Sequence, residues 1–395
     1  MTAFETGGFR PAGQFAHMER WLEAEIALGR MSGAVTLVHH KGRLIHSSAL
    51  GFRDKAHSRL MTEDTIFWIA SMTKPVTSLA ALMLAEQGRL LLSEPVSTYL
   101  PEFENVRVLT GNNIDEALPT DFPPTIQHLL THTSGLTYGP FGDDTICAAY
   151  RETGVYDFAS TNQEMSVRLA DLPLAYHPGT CFEYGMSTDL LGRVIEVVSE
   201  STLPDFIGRR IAAPLAMADT GFSLSPDQRG RLAEVTTSMT ESGLCPPVDE
   251  APVWHSGGGG LWSTARDYLA FALMLLSNGK TGDNKIVSPS TIRHMRSNHL
   301  PPGISFGNYA PELGATAPCP SLGQGFGLGL AVRLETGRNP LPGAVGDASW
   351  PGVSGTNFWI DPENELAVVF MTHAPQWRIQ HRAALRQLVY AALDD

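Results

Sequence analysis

The sequence predicts a mixed α/β (α+β) fold: an antiparallel sheet flanked by helices, built from both termini, with a mostly helical insertion between them. Three observations carry this. Strand patterns sit near the two ends of the chain. The strongest helical patterns adjoin them. Residues from about 90 to 250 are rich in Pro, Gly, Thr and Asp and sustain no strand alternation. The expected division is 1–80 with 255–395 for the sheet-bearing domain, and 81–254 for the insertion.

The elements follow in order. Phe15, Met18, Trp21, Leu22 and Ile26 recur at helical spacing and predict a helix over 14–29. Residues 33–40 and 44–50 read as two strands joined by a turn at Lys41-Gly42-Arg43. Residues 71–87 form the clearest helical pattern, with Val76, Leu79, Ala80, Met83 and Leu84 on one face, Pro75 in the first turn and Gly88 closing it. Shorter helical pieces are expected at 125–131, 188–200 and 203–212, and a strong one at 264–278, closed by Gly279. Strand patterns return at 326–334, 353–360 and 366–372, before a terminal helix near 378–392.

Composition excludes several classes. Of 395 residues 43% are hydrophobic and 17% charged, a globular balance and not that of a disordered chain. The formal charge is −13 and no Lys/Arg run is present, which argues against a nucleic-acid partner. Cys147, Cys181, Cys245 and Cys319 are far apart, form no C-x-x-C pair and read as free thiols. Met1 to Glu25 has no apolar stretch of signal-peptide length and no window reaches the length of a membrane span, so a cytoplasmic location without membrane association is the expectation.

The chemistry centres on Ser71-Met72-Thr73-Lys74. Residues i and i+3 share a helix face, so Lys74 can reach the Ser71 hydroxyl. A serine is a weak nucleophile until a base takes its proton, and burial lowers a lysine's pKa enough for it to serve. The helix N-terminus adds donors where an oxyanion would form. Taken alone, the tetrad also fits an N-cap serine followed by a solvated lysine.

Other blocks accompany it. Ile69 to Ser78 (IASMTKPVTS) and Leu129 to Leu136 (LLTHTSGL), together with Tyr184-Gly185-Met186-Ser187-Thr188-Asp189-Leu190-Leu191-Gly192, resemble the serine β-lactamase-like superfamily. That group includes class C β-lactamases, penicillin-binding proteins, D-aminopeptidases and family VIII carboxylesterases. Ser256 to Thr264 (SGGGGLWST), Gly325 to Gly329 (GFGLG) and Trp350-Pro351-Gly352 match further blocks in family order, over residues 30 to 375. Two departures point to the esterase branch. Tyr184 is not followed by the Tyr-x-Asn of class C enzymes. Trp350-Pro351-Gly352 stands where they carry Lys-Thr-Gly, so the cation that would hold a substrate carboxylate is missing. Pro351 departs even from the Trp-Gly-Gly of the esterases.

The resemblance implies that Ser71 attacks an ester carbonyl, that Lys74 and Tyr184 form the base system, and that the N–H groups of Ser71 and Val353 bind the oxyanion. It implies hydrolysis of small short-chain esters, no metal and no cofactor. An acyltransferase using the same acyl-enzyme, a β-lactamase or D-amino peptidase, and a non-catalytic scaffold are the alternatives. Trp350 and Gly352 are substrate-binding candidates by motif position. Tyr138, Phe141 and His255 are candidates only because they adjoin motifs, and each of these aromatic residues also reads as packing. The partner is a small-molecule ester, and a homo-oligomer stays open. Three further patterns carry no chemistry. Ser187 lacks the final glycine of a lipase elbow. His128 and His132 have zinc-helix spacing without a general-base Glu. Gly257 to Gly260 lacks the Lys-Ser/Thr of a phosphate loop.

Overall fold

In a computed structural model the described residues are 13–111, 113–142, 144–307, 313–315 and 317–393. Of the N-terminal stretch read for an export signal, residues 1–12 lie outside this description. The fold is organised on an antiparallel sheet of seven strands. They are β1 (Gly33–His40), β2 (Arg43–Gly51), β3 (Gln324–Phe326), β4 (Ala331–Arg333), β5 (Ala348–Ser349), β6 (Asn357–Asp361) and β7 (Leu366–Met371). Their spatial order is β3-β4-β5-β6-β7-β1-β2, so the N-terminal hairpin completes a sheet begun by the C-terminal strands.

The central strands are buried on both faces, which explains why β7, Leu-Ala-Val-Val-Phe-Met, reads as a continuous apolar run. Alternation divides its side chains between two layers. Leu366, Val368 and Phe370 join Ala34, Val38 and Trp359 on the outer face, under helices α1 (Ala16–Ala27) and α5 (Arg378–Leu393). Ala367, Val369 and Met371 join Val35, Leu37 and Phe358 on the inner face, against helix α4 (Ala265–Leu276).

Behind the inner face lies α2 (Thr73–Glu86), whose residues 73–84 are all buried. This helix is buried on every side, its polar Thr73, Lys74, Thr77 and Ser78 included, and it packs against helix α3 (Ser187–Ser199). Residue 80 falls in the middle of α2, and one continuous core joins sheet residues such as Leu37 to insertion residues such as Leu190. The segment 203–212 begins as an α-helical turn over Leu203–Ile207 and then widens into a π-helical turn, Gly208–Ala212.

Three sequence expectations are corrected. The strand pattern 326–334 is two strands, because Gly327 N–H donates to the Leu330 carbonyl and Gly329 takes a φ of +91°, closing a hairpin. The strand expected over 353–360 begins only at Asn357. The helix expected from residue 71 starts at Thr73, with Ser71 in a preceding 3-10 turn, Ala70–Met72.

Candidate active site

Ser71 is positioned by a chain of local constraints. Strand Ile66–Trp68 pairs antiparallel with Trp262–Thr264, and Ile69 N–H donates to the Leu261 carbonyl at 3.1 Å. Ala70 then adopts a φ of +47°, a left-handed conformation costly for a residue with a Cβ. The chain thereby turns sharply into α2 and leaves Ser71 partly exposed at its entrance.

The glycine block docks directly against this turn. Thr77 Oγ1 donates to the Gly257 carbonyl at 2.8 Å, and Leu261 N–H donates to Thr73 Oγ1 at 3.1 Å. A Cβ on Gly258 would run into the Asp189 carboxylate, so this position needs glycine. The block therefore brings the backbone up to the site, with Gly258 N–H bonded to the Asp189 carboxylate.

Lys74 is fully buried. Its Nζ donates to the Gly258 carbonyl at 2.7 Å, the Tyr138 hydroxyl at 3.0 Å and Ser71 Oγ at 3.4 Å. The last distance is long for a hydrogen bond, as is common before substrate draws such a pair together. Nζ also stands 4.6 Å from the Tyr184 ring centroid. Burial lowers the Lys74 pKa to about 7, against the opposing pull of Asp189. A substantial neutral fraction therefore exists near neutral pH, and a neutral amine can accept a proton.

Tyr184 closes the other side. Trp350 Nε1 donates to its hydroxyl at 3.3 Å. Burial raises the phenol's pKa, while hydrogen bonding with Ser71 and Trp350 works the other way. The phenol therefore stays protonated and can hand on a proton. Asp189 accepts from Ser256 Oγ at 2.5 Å and from Gly258 N–H at 3.1 Å, and the Tyr138 hydroxyl reaches it at 3.5 Å.

These groups face a cleft of about 400 Å³, counting space open to solvent. Ser71, Tyr138, Tyr184 and Val353 line it with Trp68, Ala70, Leu244 and Trp254, and with Asp189, Ser256, Gly258 and Gly259. Among the described residues no Lys or Arg lines it. The structure thus brings Ser71, Lys74, Tyr184, Val353 and Tyr138 together.

Three candidates stand elsewhere. Trp350 is buried behind Tyr184 and is not in the cleft wall. Gly352 turns its carbonyl to Arg382, one residue behind Val353. His255 meets the edge of Phe222 at 5.6 Å, and its backbone N–H donates to Asn162. The side chain of Phe141 lies outside the described residues.

Asp189, Ser256, Gly258, Trp68, Leu244 and Trp254 also line the cleft without being sequence candidates. The first three lie inside the family motifs, so their positions held a signal. Leu244 and Trp254 come from an irregular stretch and carried none. The histidines serve the scaffold: His128 completes a capping box with Thr125, and His132 is buried 4.9 Å from the Tyr184 ring. Burial drives the His132 pKa far down, so it is neutral. Ser187 is fully buried and bonded to Ser134.

The family described as Beta-lactamase matches residues 18–392. The chain belongs to that family. It is therefore a β-lactamase-fold serine hydrolase, with esterases and acyltransferases among its relatives. Protein Rv1367c of Mycobacterium tuberculosis is 35% identical over 368 residues, covering 90% of each chain. Esterase EstB of Burkholderia gladioli is 30% identical over 387 residues, covering 92% of this chain and 91% of its own. The solved structure of EstCE1, described as a hydrolase with promiscuous acyltransferase activity, superposes with a TM-score of 0.79 at 27% identity, covering 96% of this chain and 98% of its own. Among the described residues no helix is long and apolar enough to cross a membrane.

Proposed function

We propose that the protein is a carboxylesterase acting on small, short-chain esters through an acyl-enzyme on Ser71. The observation that carries this is the buried Lys74 Nζ, 3.4 Å from the Oγ of Ser71, which lines a cleft whose described lining has no Lys or Arg. A β-lactam or peptide carboxylate would lack a charged anchor there, whereas a neutral ester needs none.

The geometry supports the following steps. Neutral Lys74 takes the Ser71 proton as Oγ bonds to the ester carbonyl carbon. The N–H groups of Ser71 and Val353 receive the developing oxyanion. When the C–O bond to the alcohol breaks, Tyr184 supplies the proton and recovers one from the Lys74 ammonium. Water then repeats the sequence on the acyl-enzyme, restoring Ser71. EstCE1's described activity supports a second acceptor: an added alcohol would compete with water for the same intermediate. Product analysis with such an alcohol measures that partition.

Two predictions arise here. Tyr184→Phe is expected to lower kcat on the order of 100-fold with little change in KM, because the phenol acts in the transition state. A pure KM effect in steady-state kinetics would make Tyr184 a binding residue. The second concerns pH. Below about 7 the Lys74 ammonium dominates and cannot accept a proton, so kcat/KM should rise with pH through that region. Asp189→Asn removes the charge that holds the lysine pKa up, so the rising limb should move to lower pH. A limb that stays in place, or moves upward, in a pH–rate profile would exclude Lys74 as the titrating base.

A further inference from the structure

The loop after β5 carries one hydrogen-bonding pattern that the steps above do not use. Ser354 Oγ donates to the Trp68 carbonyl at 2.8 Å, and Thr356 Oγ1 donates to the Ile69 carbonyl at 3.2 Å. Gly352 N–H donates to the Thr356 carbonyl at 2.9 Å. The loop is thereby fixed against the segment that leads into Ser71. Gly352 itself has no room for a side chain, since a Cβ would strike Thr356 Oγ1 and the Ile69 carbonyl.

The Gly352–Val353 peptide is held from one side. Its carbonyl accepts from Gly355 N–H at 3.1 Å and from the Arg382 guanidinium. Arg382 also reaches the Thr356 carbonyl at 3.4 Å. This arginine is on α5 and is 5% exposed. The peptide is trans, so its N–H points opposite to its carbonyl. Among the described residues nothing accepts from the Val353 N–H, and Val353 lines the cleft beside Ser71.

We propose that Arg382 is a positioning residue of the acyl-transfer site: by gripping the Gly352 carbonyl it orients and polarises the peptide whose N–H, at Val353, receives the oxyanion together with that of Ser71. A donor to a peptide carbonyl draws electron density from its N–H and strengthens what that N–H donates. Here the donor is a full positive charge in a water-poor site, where such coupling counts most. The same charge is felt at Tyr184, where burial raises the phenol's pKa and the arginine is a minor opposing influence. The inference rests on the esterase reading, since it needs an oxyanion to form.

The test uses the full-length chain as wild type, Arg382→Gln, Arg382→Lys and Ser71→Ala, with p-nitrophenyl acetate as substrate and phenylboronic acid as a tetrahedral mimic. Removing an oxyanion donor outright costs on the order of 100-fold or more in kcat. Weakening one through its peptide should cost about 10- to 100-fold in Arg382→Gln, with KM within about 3-fold. Boronate inhibition should weaken by a similar factor. Arg382→Lys, which keeps a charged donor on a shorter stem, should lose less on both measures. It also carries the test if the glutamine variant shows no cooperative thermal unfolding. A folded variant with wild-type kcat and boronate affinity overturns the proposal. So does lower kcat with unchanged boronate affinity, which would be a structural effect. Ester cleavage that survives in Ser71→Ala sinks the esterase reading itself, whatever the arginine variants do.

Discussion

Ser71→Ala should abolish ester cleavage, lowering kcat/KM by on the order of 10⁴-fold or more while leaving the thermal transition close to that of the wild type. The size follows from the role. Without Oγ no acyl-enzyme can form, and what remains is the modest help of the oxyanion donors and the cleft. The fold should tolerate the change because Ser71 is partly exposed and its bond to Lys74 is long. The turn is held by other bonds, such as Ile69 N–H to the Leu261 carbonyl. Kinetics on a p-nitrophenyl ester together with a melting curve check both halves. Near-wild-type turnover would remove Ser71 from the chemistry. Lost turnover with a collapsed melting transition would make it a structural serine.

Lys74→Met should cost about 10³-fold in kcat, within the range expected when a general base is lost. Methionine matches the length of the buried stem, so packing against α3 and the Tyr138 and Tyr184 rings survives. Two effects on stability oppose each other. The Gly258 carbonyl loses a donor, at about 1–3 kcal/mol if it is left unsatisfied, while the Tyr138 hydroxyl loses one partner and keeps its bond to Asp189. The cost of burying a cation disappears, and it is large enough to have lowered the lysine pKa from 10.5 to about 7. Stability should therefore change far less than activity. Rapid-mixing measurement of acylation separates the readings: acylation itself should slow by the full factor. An unchanged acylation rate with slow turnover would confine Lys74 to deacylation.

Much of the scaffold was legible because it is local. The hairpin Gly33–Gly51, the strand Leu366–Met371 and the helices α1, α4 and α5 each carry their own period and their own stops. The pairing of β7 with β1 is long-range, but two apolar runs at opposite ends of the chain made a shared sheet the simplest solution. The errors arose where glycine imitates a strand. Gly325-Phe326-Gly327-Leu328-Gly329 alternates with period two, yet Gly329 takes a left-handed turn and the run folds back on itself. Val353 to Thr356 also reads as strand, but its polar side chains are used to anchor the loop to Trp68 and Ile69.

The site divides in the same way. Ser71 and Lys74 lie one helical turn apart, so their meeting is written in the spacing. Tyr184 and Val353 could be placed only through the family resemblance, since they are 113 and 282 residues beyond Ser71. Asp189 sat in a quoted motif, but its contact with Gly258 depends on a glycine block almost 70 residues later. Arg382 was read only as part of a terminal helix. Its bond to Gly352 exists because α5 packs over the outer face of the sheet, and nothing in the helical pattern announces that.

The central claim is a covalent intermediate on Ser71, and intact-mass spectrometry tests it most directly. Wild type and Ser71→Ala would each be incubated with a p-nitrophenyl ester series and with a phosphonate ester. The account predicts one phosphonyl adduct on the wild type, mapping to Ser71, a transient acyl adduct with the turned-over ester, and neither on Ser71→Ala. Ester turnover without an adduct, or an adduct that persists in Ser71→Ala, would contradict it.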